Sequence, residues 1–98
     1  MASIGYTSLC EEPSAVIFRL TCGERADLLY YGRVIAHVRR PLHKAEVPAG
    51  IAEITIGGMA RDRDDRAMLL MDGGSFAIVR HGRRIAVVEG IAPPKEGA

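Results

Sequence analysis

Apolar and polar residues alternate along several short runs of this 98-residue chain, and glycine-containing turns separate the runs. Alternation with period two places successive side chains on opposite faces of an extended strand. The pattern predicts eight strands, SIGYTSL, VIFRLT, ADLLYY, VIAHVR, IAEITI, AMLLM, SFAIVR and RIAVVE, at residues 3–9, 16–21, 26–31, 34–39, 51–56, 67–71, 75–80 and 84–89. Gly32 and Gly82 each fall between two runs and therefore predict β-hairpin turns.

The chain matches itself when it is shifted by fifty positions, so that residues 15–41 fall on residues 65–91 without a gap. Gly-Arg followed by Ile-Ala-x-Val recurs at Gly32 and at Gly82. Matched glycines mark positions that need a positive φ or a tight turn, so they favour a repeated unit over convergence of short hairpins. We therefore predict one domain over residues 1–98, with internal repeats at about 1–48 and 51–98.

The predicted fold class is all-β, with two tandem β-meander repeats that form a small barrel or sandwich with pseudo-twofold symmetry. Its core is expected on the strand faces that carry Val34, Ala36, Val38, Ala86 and Val88. The alternative is an α+β fold with a short helix near residues 59–71, ended by a glycine C-cap. Six charged residues at 61–66 leave no apolar stripe at helical spacing, which favours a loop followed by a strand.

Composition places the chain among soluble globular proteins, because 48% of its residues are hydrophobic and 26% are charged. A formal net charge of +1 argues against a surface devoted entirely to nucleic acid or anionic membrane. The apolar runs are far too short to span a membrane, and no secretory signal is recognisable. Cys10 and Cys22 form no regular framework, so we expect reduced thiols and a cytoplasmic location.

The sequence lacks the common motifs of catalysis and cofactor binding. No glycine-rich motif leads from a strand into a helix, and neither a phosphate-binding loop nor a His-Glu-x-x-His motif is present. The cysteines and histidines lack the spacing of zinc ligands, and the aspartates at 62, 64 and 65 alternate with arginines, which favours a salt-bridged loop over a calcium site. We therefore expect no catalytic residues, no metal and no cofactor.

The remaining candidate surface is basic and lies near the two hairpins. Arginines, a histidine and a tyrosine pair cluster there, and such side chains contact phosphate or acidic protein surfaces. The candidate partner-binding residues are Arg80, His81, Arg83, Arg84, Tyr30, Tyr31, Arg33, Arg39 and Arg40.

These sequence features support three hypotheses about function. The leading hypothesis is a non-enzymatic adaptor, assembly or inhibitory module that binds a protein partner, with a second copy of the chain as one such partner. The second is nucleic-acid binding through the basic hairpins, and the third is a small enzyme that uses a cysteine and a histidine. AIVRHGRRIAVV, residues 77–88, resembles the strand pair of Phd and YefM type antitoxins, but the resemblance is confined to this segment and implies no function here.

Overall fold

The computed structural model describes residues 2–43 and 47–91. Their elements, in chain order, are β1 (Ala2–Gly5), α1 (Tyr6–Glu11), α2 (Pro13–Ile17), β2 (Arg25–Tyr30), β3 (Arg33–Arg39), β4 (Ala52–Thr55), a 3₁₀ helix (Gly57–Ala60), α3 (Arg63–Met71), β5 (Ser75–Arg80) and β6 (Arg83–Gly90). The described chain is therefore sheet-rich, as predicted, and it also contains short helices.

The described strands form one six-stranded sheet in the order β1-β2-β3-β6-β5-β4. β1 runs parallel to β2 and β4 runs parallel to β5, whereas the other neighbours are antiparallel. A parallel pair needs a crossover connection, and α1 with α2 supplies one while the 3₁₀ helix with α3 supplies the other. The described strands thus form a single sheet with β1 and β4 as its edge strands, whereas a barrel or sandwich of two meanders was predicted.

Three of the eight predicted strands are helical in full or in part. In SIGYTSL only residues 3–5 belong to β1, and residues 6–9 lie in α1, where Tyr6, Leu9 and Cys10 are buried at helical spacing. VIFRLT begins inside α2, and its buried residues Val16, Ile17 and Leu20 continue from Pro13 at helical spacing. AMLLM lies inside α3, where Arg66, Ala67 and Leu70 are buried at the same spacing. The helix near residues 59–71, stated as the alternative, is therefore present. The strand was preferred because no apolar stripe was found among the charged residues, whereas α3 fills one position of its buried stripe with Arg66.

Arg66 joins α3 to the 3₁₀ helix that precedes it. Its side chain is only 8% exposed. The guanidinium donates hydrogen bonds to the carbonyl oxygens of Met59 at 2.9 Å, Gly58 at 3.0 Å and Arg61 at 2.6 Å. Buried charge is tolerated when its donors are satisfied in this way. The predicted salt-bridged loop over residues 61–66 is wrong for this arginine, which bonds to backbone carbonyls.

The main core lies between the helices and one face of the sheet. Strand residues on this face are Ala26, Leu28, Ala36, Val38, Phe76, Ile78, Ala86 and Val88, all fully buried. The prediction holds for Ala36, Val38, Ala86 and Val88 but fails for Val34, which is exposed. Pairing passes from Leu28 with Ala36 to Leu29 with Val34, so the neighbouring Ile35 forms a β-bulge and turns into the core.

The opposite face of the sheet carries a second, smaller apolar cluster. Ala77 and Val87 are buried there beneath Val47, and Ile51 packs against them. Because side chains alternate along a strand, these residues point away from the main core. The chain that leads into β4 therefore covers part of this second face.

The two halves of the sheet pair in equivalent registers. β1 places Ala2 opposite Ala26, and β4 places Ala52 opposite Phe76, so both partners shift by fifty positions. At the centre of the sheet β3 and β6 place Val38 opposite Val88, which are again fifty positions apart. Each half of the described chain therefore has the same order of elements, a β-α-β-β arrangement.

Candidate partner-binding groove

Both hairpin tips hold a bulky residue in the left-handed region of the Ramachandran plot. Tyr31 and His81 each have a φ of +51°, and the glycines that follow them, Gly32 and Gly82, have φ values of +75° and +76°. Two consecutive positive φ values are typical of a type I′ hairpin turn, whose first position favours asparagine, aspartate or glycine. This conformation costs any residue with a Cβ more than it costs glycine, and it costs tyrosine more than histidine.

The tip between β5 and β6 forms one wall of a surface groove of about 470 Å³. The other wall comes from the chain that follows α2 and the chain that follows β3. The lining residues, named here the basic groove, are Phe18, Cys22, Arg40, Pro41, Arg80, His81, Arg83, Arg84 and Ile85. Cations from both halves of the chain thus meet in one place.

Two arginines of the groove lie over the ring of Phe18. The ring is 42% exposed. The guanidinium carbon Cζ of Arg40 lies 4.9 Å from the ring centroid, and that of Arg80 lies 5.4 Å from it. Both distances suit a cation–π contact. Nη1 of Arg40 also donates a hydrogen bond to the carbonyl oxygen of Leu20 at 2.7 Å, which fixes that guanidinium beside the ring.

The groove retains positive charge that the described residues do not neutralise. Nε of Arg84 pairs with a carboxylate oxygen of Glu53. In the part of the chain that the structure describes, the side chains of Arg83 and His81 make neither a hydrogen bond nor an ion pair. Both are exposed, so their donors can reach an incoming anionic group.

A second depression continues the groove along the surface. It has a volume of about 620 Å³ and shares Pro41, Arg83 and Arg84 with the groove. Its remaining lining comes from Leu42, His43, Val47, Glu53 and Gly82. The two depressions together form an elongated surface, and Pro41, Arg83 and Arg84 line both of them.

Five of the nine residues predicted from the sequence line the basic groove. They are Arg40, Arg80, His81, Arg83 and Arg84. Tyr30, Tyr31 and Arg33 lie at the other hairpin tip, outside the groove. Arg39 is also outside it, and its Nε lies 3.3 Å from Oε1 of Glu89 on the neighbouring strand.

Phe18 is a residue of the site that was not predicted from the sequence. The expected strand at 16–21 placed this residue in a sheet, whereas the structure makes it the C-cap of α2. The sequence did contain a signal for this residue. Phe18 directly follows the helical stripe of Pro13, Val16 and Ile17 but does not belong to it.

The tip between β2 and β3 is aromatic where the basic groove is cationic. Tyr30 packs edge-to-face against Tyr6 at 5.4 Å and against Tyr31 at 4.5 Å between ring centroids. Burial, together with neighbouring Tyr31 and Asp64, raises the pKa of the Tyr30 hydroxyl above its usual range. Burial also raises the pKa of the Tyr6 hydroxyl, which donates to the carbonyl oxygen of Arg63 at 2.7 Å. Tyr31 itself is 91% exposed.

The thiol chemistry of the site is limited to one cysteine. Cys22 is exposed and lines the groove with His81, whereas Cys10 is buried in the core. Across residues 2–43 and 47–91, Cys22 makes no hydrogen bond to His81, and no three metal-ligating side chains come together. None of the helices in these two ranges combines the length and apolar composition needed to cross a membrane.

Comparisons with family models, with curated proteins and with solved structures found no match to this chain. The site is therefore interpreted from its own geometry and charge.

Proposed function

We propose that this protein is a non-enzymatic binding module that takes an acidic, partly apolar segment of a protein partner into the basic groove. The proposal depends on one observation: Arg40 and Arg80 lie over the partly exposed ring of Phe18, and His81 and Arg83 line the same groove. Arginine donates paired hydrogen bonds to carboxylates, and a partly exposed aromatic ring offers apolar contact beside them. Hydrogen bonds to carboxylates and apolar contact are sufficient for an adaptor or inhibitor, which binds its partner without a chemical reaction.

The state of Phe18 favours protein over single-stranded nucleic acid. Base stacking needs an aromatic face that is open to the base. Arg40 and Arg80 already lie over the ring, so its remaining exposure suits an aliphatic side chain better than a stacked base. The formal net charge of +1 likewise gives little long-range attraction for a polyanion.

The backbone at the hairpin tip also supports a contact function. Unfavourable backbone conformations concentrate where a side chain is needed for binding. His81 occupies a turn position that asparagine or glycine would fill more easily, and its imidazole lines the groove. We interpret the histidine as a contact residue that is kept at some expense of stability.

The proposal includes a repeated architecture in one domain, with units at about 1–48 and 51–98 related by pseudo-twofold symmetry. Equivalent strand registers and equivalent turn conformations support it. Under this interpretation, the two halves share a scaffold and differ in the surface that each presents. A cytoplasmic location also belongs to the proposal, since Cys10 and Cys22 are both free thiols.

Fluorescence anisotropy tests the proposed binding. The probe is a fluorescein-labelled peptide in which aspartate and leucine alternate, and its competitor is a single-stranded oligothymidylate of equal charge. We expect Arg83→Ala to weaken peptide binding roughly tenfold, because a charge-assisted hydrogen bond is lost. Arg33→Ala is the matched control, since Arg33 follows the other hairpin turn and lies outside the groove.

Two results would overturn this proposal. One is equal peptide affinity for the parent and Arg83→Ala, which would remove the groove as the binding surface. The other is preferential binding of the oligothymidylate, which would assign the groove to nucleic acid.

A further inference from the structure

The outer face of α3 carries exposed acidic and apolar side chains, the two kinds of side chain that the proposed partner would place in the basic groove. Asp65, Met68 and Leu69 lie on one side of α3, and Asp72, the C-cap of the helix, continues this spacing of three, one and three residues. All four are exposed, with Met68 at 58% and Leu69 at 44%. These residues, named here the α3 outer face, present two large apolar side chains between two carboxylates.

Two residues of this face correspond to residues of the basic groove. A shift of fifty positions relates Phe18 to Met68 and Cys22 to Asp72. The other groove residues have no counterpart on the α3 outer face, because most of the groove arginines come from the β5–β6 hairpin. The two surfaces of the chain are therefore built differently and carry opposite charge.

We propose that the α3 outer face of one copy of this chain docks in the basic groove of a second copy. This inference rests on the proposed function, because it uses the same groove and names a second copy as its occupant. Met68 and Leu69 contact Phe18, and the aspartates pair with the groove arginines. Removing these exposed apolar side chains from water and pairing opposite charges both favour the contact.

The docking joins two different surfaces, so it is heterologous. Each copy in such a contact still has one unused groove or one unused helix face, and association can continue from it. The same contact makes a second copy compete with any acidic partner for the groove. Self-association is therefore expected to fall when such a partner binds.

Sedimentation velocity over a range of protein concentrations tests this inference with charge-reversal variants. Arg83→Glu removes the groove contact, and Asp65→Lys with Asp72→Lys removes the helix contact. Arg25→Glu is the control, because Arg25 is exposed at the start of β2 and precedes a residue that faces the main core. We expect the parent and the control to sediment faster as concentration rises, and each interface variant alone to stay monomeric.

An equimolar mixture of the two interface variants gives the sharpest result. Each variant keeps one intact surface, the helix face in one and the groove in the other, so the mixture is expected to form a 1:1 dimer that grows no further. Added salt should dissociate it, because screening weakens the charge pairs. Thermal unfolding of each variant shows whether it is folded.

Failure of this inference is distinguishable from failure of the proposed function. A parent that stays monomeric at every concentration, yet binds the aspartate-leucine peptide, overturns the self-docking and leaves the groove function intact. The inference is also overturned if both charge-reversal variants associate as strongly as the parent. Loss of peptide binding by Arg83→Glu that parallels loss of self-association supports one shared groove.

Discussion

His81 combines a strained backbone with a place in the basic groove. Its φ of +51° matches that of Tyr31 at the other tip, and a glycine with positive φ follows both residues. Asparagine adopts this conformation more readily than histidine or tyrosine. The two tips therefore offer a matched pair of positions at which stability and binding can be separated.

We predict that His81→Asn raises the free energy of unfolding by about 0.5–1 kcal/mol, because the turn loses part of its strain. The same substitution is expected to weaken binding of the aspartate-leucine peptide, since the imidazole leaves the groove. Urea denaturation and anisotropy measure the two effects.

Tyr31→Asn supplies the control for this prediction. It should leave peptide affinity unchanged, because Tyr31 lies outside the groove. It should stabilise the chain less than His81→Asn does, because it also removes the ring contact between Tyr31 and Tyr30. A His81→Asn protein that is more stable and binds as tightly as the parent would remove His81 from the site.

At the scale of elements, the hairpins were predicted, whereas α1 and α2 were missed and α3 was stated only as the alternative. Gly32 and Gly82 located both turns because a positive φ favours glycine. α3 was not the leading prediction because its buried stripe contains Arg66, which interrupts the apolar periodicity. The bulge that turns Ile35 inward was equally hidden, since period two assumes an uninterrupted ladder.

The basic groove shows the same division between local and tertiary information. Charge near the tip from Arg80 to Arg84 is visible in the sequence as soon as the hairpin is located. The arrival of Arg40 and Phe18 beside that tip depends on how α2 and β3 pack across the sheet. All the arginines and the histidine of the groove were therefore predicted from the sequence, whereas their convergence with Phe18 was evident only in the tertiary structure.

Arg66 is predicted to hold the 3₁₀ helix and α3 in their observed arrangement. Arg66→Ala removes hydrogen bonds to three carbonyl oxygens and leaves a void in a buried position, so it should lower the free energy of unfolding by about 3 kcal/mol. Urea denaturation followed by circular dichroism measures the change. Arg61→Ala is the control, because this exposed side chain should change stability by no more than about 0.5 kcal/mol. Equal stability of Arg66→Ala and the parent would show that these hydrogen bonds contribute nothing net.

At the scale of the whole molecule, two similar β-α-β-β arrangements present different surfaces. One tip carries Arg80 and His81 beside Phe18, and the other carries Tyr30 and Tyr31 at the equivalent positions. The main core between sheet and helices extends through both halves, so surface residues can differ while the scaffold is kept. This division explains how a small sheet can hold a groove and a complementary helix face together.

The central claim is that the basic groove is the surface that binds a protein partner. Titration of the ¹⁵N-labelled chain with the aspartate-leucine peptide, followed residue by residue by NMR, tests it most directly. The account predicts that amide shifts change at Phe18, Cys22, Arg40 and residues 80–85, and that the tip at residues 30–34 stays unchanged. Shifts confined to residues 30–34, or no shifts at any peptide concentration, would contradict it.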